Sequence, residues 1–239
     1  MDGIPAMKII ARIRSGFPTK FGIPRQSGLV EGLRAEIIFE PEYRSPEALR
    51  GLEGFSHIWL VWLFSEAVRE GWSPTVRPPR LGGNQRLGVF ATRSPFRPNP
   101  IGLSAVRLSK IRQDARLGPV LEVEGADLMD GTPILDIKPY LPFVDSIPQA
   151  AGGFAEQKRE IQLKVECPAE LLEKIPQEHR AALLGVLAQD PRPSYHMDPG
   201  RVYGMAFAGL EVKFRVAGGV LTVLQVERHN GAREAAKGG

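Results

Sequence analysis

Across its first 148 residues the chain repeats one pattern, a short run of branched and aromatic residues followed by a break of glycine, proline or charge. The runs are Met7–Ser15, Leu33–Phe39, Phe55–Phe64, Leu87–Ala91, Leu103–Ile111, Val120–Gly125 and Pro133–Ile137. Their lengths and β-branched content suit strands better than helices. Six or seven short strands with little helix predict a barrel or a strongly curved sheet, with sites on the loops at one end. The run FSHIWLVWLF, Phe55–Phe64, is almost free of polar atoms and predicts a central strand. Ser45-Pro46-Glu47 resembles a helix start, and Gly51 stops that helix after little more than a turn.

The pattern changes after a small, polar linker at Gln149–Gln157. A strand is expected around Ile161–Val165, helices at Pro168–Ile175 and Glu178–Ala188, and then the segment QDPRPSY. Alternation on both sides of Ala217-Gly218-Gly219 predicts a hairpin. The expected fold is mainly β, a domain over residues 1–148 followed by a small α+β domain over 155–239. A length of 239 residues accommodates both.

Composition narrows the class. With 43% hydrophobic and 24% charged residues, the chain reads as a soluble globular protein. Asp2 stands where a secretory leader carries basic residues, and no apolar run reaches membrane-spanning length, so a cytoplasmic location is expected. Cys167 is the only cysteine, which excludes an internal disulfide and a cysteine-based zinc cluster. The formal charge of +4 is modest, but its distribution is uneven. Arg69–Arg116 holds ten Lys/Arg against Glu70 and Asp114, while Leu117–Pro148 holds six acids against Lys138 alone. Such a basic block can be the footprint of a polyanion such as nucleic acid, and the acidic one would suit a cationic or hydroxyl-rich small ligand; a solvated charged face is the plainer alternative.

Within the basic block lies GGNQRLGVFATRSPFRPNPIG, Gly82–Gly102. Here Leu87–Ala91 predicts a buried strand that empties into a loop bearing Arg93, Arg97 and Asn99 between Pro95, Pro98 and Pro100. Each proline fixes its own φ and restricts the residue before it, so the loop loses little entropy on meeting a ligand. A proline-rich surface turn is the plainer alternative. His57, at the entrance of the central strand, has no evident nucleophile or metal partner nearby in sequence and is read as structural. Asp127, Asp130 and Asp136 could hold Mg²⁺, although acids at turns usually cap backbone. The chain lacks G-x-G-x-x-G, G-x-x-x-x-G-K, H-E-x-x-H and G-x-S-x-G, which leaves nucleotide-loop, zinc-protease and serine-hydrolase readings unsupported.

In combination, EGWSPTVRPPRLGGNQRLG, GVFATRSPFRPNPIGLSAV, DLMDGTPILDIKPYLPF and LAQDPRPSY resemble the TrmO (TsaA-like, YaeB) family, over about Ile9–Glu227. The resemblance implies a single-sheeted β-barrel with a smaller C-terminal domain, assembled as a homodimer. It further implies an S-adenosylmethionine-dependent, metal-free methyltransferase acting on the exocyclic N6 of threonylcarbamoyladenosine at position 37 in the tRNA anticodon loop. Carried over by position, the cofactor pocket would draw on Pro24, Arg25, Gln26, Ser65, Glu66, Arg93, Leu103, Asp127, Leu128, Met129 and Asp130. Ser65-Glu66 departs from the expected His-Gln-like pair, so contacts there would be through backbone. Asp127 and Asp130 are apt partners for a sulfonium. Asn99, Asp190 or a backbone carbonyl could accept the amine hydrogen. In QDPRPSY, Pro191 and Pro193 would aim the Arg192 guanidinium at phosphate, and Tyr195 would offer a ring to an unpaired base. Two rival readings use the same residues: a non-catalytic RNA-binding barrel, and a Mg²⁺-dependent nucleotide hydrolase.

Overall fold

The computed structural model describes residues 6–78, 85–158, 162–193 and 198–229. Among the described residues eight strands precede residue 140: β1 (Ala11–Arg14), β2 (Arg34–Phe39), β3 (His57–Leu63), β4 (Thr75–Val76), β5 (Leu87–Gly88), β6 (Ile101–Asp114), β7 (Gly118–Glu124) and β8 (Pro133–Pro139). Six of them close into an antiparallel barrel in the order β1-β2-β7-β6-β3-β8. The expected central strand is β3, hydrogen-bonded to β6 on one side and β8 on the other. Its alternate residues Ile58, Leu60 and Trp62 point inward and are almost fully buried. They join Ile13, Ile37, Val106, Leu121, Val123 and Ile134 in the barrel core. Each such fully buried aliphatic contributes about 1.5–3 kcal/mol relative to exposure.

Leu87–Ala91 corrects the sequence reading. Only Leu87–Gly88 is strand, paired with β4 in a two-stranded ladder outside the barrel, and Val89–Ala91 is a 3-10 turn. Val89 is buried while Phe90 is 72% exposed, so the apolar run does not mark a strand buried throughout. The sequence spacing could not show that this run lies on a side ladder. The segment around Ser45-Pro46-Glu47 forms the 3-10 turn Pro46–Leu49, and Gly51, at φ 88°, begins a further 3-10 turn at Leu52–Gly54. The first part of the Gly82–Gly102 stretch, Ile161 and the C-terminal tail after His229 lie outside the described residues.

After a short helix α1 (Pro142–Asp145), β9 (Lys164–Glu166) leads to α2 (Ala169–Glu173) and α3 (Gln177–Ala188). The strands β10 (Val202–Phe207), β11 (Leu210–Ala217) and β12 (Val220–Arg228) complete a four-stranded sheet in the order β10-β11-β12-β9, with β9 parallel to β12. The hairpin β11–β12 turns through Gly218 and Gly219 at φ 57° and 78°. Positive φ at both central residues is what a tight hairpin matching the strand twist requires. Sequence reading did not assign β10; Gly204 interrupts its apolar run.

The C-terminal core also takes Phe17, Val30 and Leu33 from the β1–β2 connection. Phe17 packs on Phe207 with centroids 5.2 Å apart, and the Ala208 N–H donates to the Gly16 carbonyl at 2.8 Å. At Gly22, where φ is 91°, an added Cβ would meet Met205 Sδ at 2.2 Å. The connection that carries Pro24-Arg25-Gln26 is thereby held against the C-terminal sheet. Among the described residues no helix is long and apolar enough to cross a membrane.

Candidate functional site

A cavity of about 690 Å³ opens where the β1–β2 connection, the end of β3, the proline-rich loop and the start of β6 meet. Its size falls in the range of small-molecule sites. Pro24, Arg25, Gln26, Ser65, Glu66, Arg93, Asn99, Leu103, Asp127 and Met129 all line it, so the fold brings together residues up to about a hundred positions apart in the chain.

The loop after β5 has a defined shape. Thr92 Oγ1 accepts from the Ser94 N–H and Ser94 Oγ from the Phe96 N–H, both at 3.2 Å. Arg97 Nη1 donates to the Thr92 carbonyl at 3.2 Å, and the Phe64 N–H donates to the Pro100 carbonyl at 2.8 Å. The loop is thus tied to the end of β3. Arg93 Nη1 donates to Gln26 Oε1, joining the two loops across the opening. Lys20 Nζ reaches the Glu66 carbonyl at 3.2 Å, so the main chain of Ser65-Glu66 is what the neighbouring loop contacts.

A polar chain runs from the barrel interior to the cavity. Trp62 Nε1 donates to Ser104 Oγ at 3.0 Å, and Ser104 donates to Asp127 Oδ1 at 2.6 Å. Burial pushes the Asp127 carboxyl above its ordinary range, opposed by the Ser104 hydrogen bond, by backbone bonds at Asp127 and Ser27, and by the charge of Arg93. A desolvated carboxylate of this kind gains from a cation brought into the cavity. Trp62 faces Gly102 across the β3–β6 ladder. A Cβ at Gly102 would lie 2.2 Å from Trp62 Cε2, so the indole occupies the space that any larger residue would need.

Two residues of the Asp127–Asp130 group do not reach the cavity. Leu128 is buried in the barrel core and its carbonyl accepts from Ser15 Oγ at 2.9 Å. The Asp130 carboxylate accepts the Ser15 N–H at 2.9 Å, while its own N–H donates to the Phe17 carbonyl. This corrects the expectation of an Asp127–Asp130 pair: Asp130 fastens the β7–β8 loop to the end of β1. Asp136 is engaged elsewhere, with Lys138 at 2.8 Å. The three aspartates therefore do not converge, and among the described residues no group of three or more His, Cys, Asp or Glu is placed to hold a metal.

Asp190 and Arg192 line a smaller recess of about 150 Å³, which shares Lys20, Ile23, Pro24 and Arg25 with the main cavity. Here too the expectation is corrected. Arg192 Nε and Nη2 donate to Asp190 Oδ1 and Oδ2, both at 2.8 Å, so the guanidinium fork grips its neighbour rather than standing free for phosphate. That pairing raises the Arg192 pKa. Asp190 has φ 50°, the left-handed region, which an aspartate tolerates better than most residues. Tyr195 lies outside the described residues. His57 bonds Ser56 Oγ at 2.9 Å near the start of β3, in line with a structural role.

Sequence reading missed Trp62, Ser104, Phe96 and Lys20. Only Ser104 left a signal, a hydroxyl in the inward series Gly102, Ser104, Val106, Leu108.

The tRNA-methyltransferase O N-terminal domain family model matches residues 12–146, and the TrmO C-terminal domain model matches residues 158–229. The chain belongs to the TrmO family. The first TrmO match spans the barrel from Arg12 onward and all the cavity-lining residues; the second spans β9 to β12 and the Asp190–Arg192 pair. A relative named tRNA (adenine(37)-N6)-methyltransferase from Escherichia coli K12 is 42% identical over 228 residues, covering 91% of this chain and 96% of that protein. One of the same name from Eikenella corrodens is 50% identical over 170 residues, covering 71% and 95%. A crystal structure of TrmO from Pseudomonas aeruginosa superposes with a TM-score of 0.75 at 36% identity, covering 94% of this chain and 100% of that one.

Proposed function

We propose that this chain transfers a methyl group from S-adenosylmethionine to the exocyclic N6 of threonylcarbamoyladenosine at position 37 of tRNA. The observation that carries the reading is the cavity itself, in a TrmO family member: a desolvated Asp127 carboxylate beneath a rim of arginines. The residues fit the cofactor. Asp127 suits its cationic centre, Arg25 and Arg93 suit its carboxylate, and Trp62, Phe64 and Ile101 offer apolar surface to its adenine. Bound there, S-adenosylmethionine would supply an electrophilic methyl group without a metal. The protein's task is then orientation and exclusion of water. The proline-stiffened loop fixes one wall before substrate arrives. The Asn99 side chain, on the same wall, offers an amide oxygen that accepts a hydrogen bond from the exocyclic N–H and so holds the nitrogen in line with the methyl; as the N–C bond forms and the sulfonium S–C bond breaks, the proton passes to water at the opening. Arg97, also on the cavity lining, offers donors to phosphate at the opening.

Under this reading residues 1–148 carry the chemistry and residues 155–239 contribute to tRNA binding. The separate apolar cores support that division, and the shared wall of Lys20–Arg25 lets the second part act on the first. Assembly as a homodimer and action in the cytoplasm belong to the same proposal. Support for the dimer comes from Phe143, Val144 and Ile147, apolar side chains left exposed after β8.

The test is a methylation assay with S-adenosylmethionine and two tRNAs, one with threonylcarbamoyladenosine at position 37 and one with adenosine. Nucleosides are then analysed by mass. One added methyl on the threonylcarbamoylated nucleoside alone is expected. A methyl on unmodified adenosine in preference would overturn the substrate assignment, and none on either would overturn the activity.

A further inference from the structure

Between β3 and β6 the chain leaves the barrel as a wing built on the β4–β5 ladder. The wing sets large rings in solvent: Trp72 is 54% exposed, Phe90 72% and Phe96 40%. They are not scattered. Trp72 and Phe90 lie with centroids 6.0 Å apart and planes inclined by 31°, and the Arg69 guanidinium sits 4.0 Å over the Phe96 ring. Phe96 is itself a wall of the main cavity, and Arg69, which covers it, stands three residues before Trp72 in the chain. Residues 65–78 and 85–99 carry five arginines, at 69, 77, 86, 93 and 97, against Glu66 and Glu70.

Exposed aromatic faces interleaved with arginines, poor in acids and reaching a reaction cavity at Phe96, match the chemistry of single-stranded nucleic acid. Unpaired bases stack on rings whatever their identity, while arginines take the phosphates and can stack as well. A base whose amine is to react must stand out of its stack, which leaves its neighbours in need of new partners. We infer that the wing is a stacking platform for the unpaired nucleotides flanking the reacting adenosine, with Trp72 and Phe90 as the rings and Arg69 and Arg86 beside the backbone. The inference rests on the proposed function and names the part of the substrate that this surface holds.

Both rings are exposed, so Trp72→Ala and Phe90→Ala spare the core. Binding of an anticodon stem-loop RNA is measured by fluorescence anisotropy, and cofactor binding by calorimetry, on the full chain. Each variant should bind the stem-loop about five-fold or more weakly, with cofactor affinity unchanged. On a stem-loop made abasic at the nucleotides flanking the target, wild type and variants should bind alike. Equal binding of wild type and both variants to the intact stem-loop would overturn the platform. So would a change in sedimentation with RNA affinity retained, which would assign the surface to a second copy of the chain. Trp72-dependent stem-loop binding without methylation would sink the methyl-transfer reading and leave the platform standing.

Discussion

Replacing Asp127 with asparagine keeps the side chain's shape and the acceptor used by Ser104 while removing one charge from the cavity. Two effects of opposite sign follow. Without ligand, the variant should be the more stable protein at neutral pH. Burial raises the folded-state pKa of Asp127 above its unfolded value of 3.8, so the folded protein holds the proton more tightly. The carboxyl costs nothing below 3.8; the cost builds as the pH rises from 3.8 to the folded-state value and is complete above it. Above that, every tenfold by which folding tightens the hold on the proton costs about 1.4 kcal/mol, a cost that asparagine does not carry. With cofactor the order reverses. A unit charge pair about 4–6 Å apart at an effective dielectric of ~20 is worth roughly 3–4 kcal/mol. Arg93 already acts on this carboxylate and the cavity opens to solvent, so a loss of roughly 2 kcal/mol, about 30-fold in Kd, is expected. Wild-type affinity should fall as the pH is lowered through the folded-state pKa of Asp127, whereas the variant's should not. Urea unfolding without ligand at neutral pH and in acid, with calorimetry of the cofactor across the same range, tests both. A variant that is less stable at neutral pH and binds the cofactor as wild type does would refute the reasoning. Asp130→Asn is the control: its carboxylate holds the Ser15 N–H outside the cavity, so cofactor affinity should be unchanged.

Gly102→Ala should lower thermal stability by about 1–3 kcal/mol, because the new methyl collides with the buried Trp62 ring and forces β3 and β6 apart; an unchanged Tm would mean that the ring moves freely. Ser104→Ala leaves Trp62 Nε1 and Asp127 Oδ1 without their shared partner, costing about 1–3 kcal/mol. It should also move the pH dependence of cofactor binding to higher pH, since that hydroxyl lowers the Asp127 pKa; calorimetry across pH reads the change. For the Asp190–Arg192 pair, alanine at either position should reduce methyl transfer to tRNA by a similar factor, and the double variant by little more than either alone. Additive losses in that cycle would show that the two side chains act independently.

Several features follow from residue order alone. The alternation and spacing of apolar residues determine β3 as a central strand and Gly218-Gly219 as a hairpin turn, because period and turn geometry are local properties of the chain. The stiffness of the Pro95–Pro100 loop is equally local, since proline sets φ whatever surrounds it. Cross-strand and interdomain neighbours are another matter. That Trp62 meets Gly102, that Ser104 reaches Asp127, and that the Lys20–Gln26 connection packs between cavity and C-terminal sheet depend on barrel register and closure. The same dependence separates Asp127 from Asp130. Both are acids in one short loop, but the path of that loop across the barrel end turns one into the cavity and the other towards Ser15. Arg192 shows how close in sequence the limit lies: the prolines restrict its backbone, yet a carboxylate two residues earlier, brought round by a left-handed turn, decides where its charge is spent.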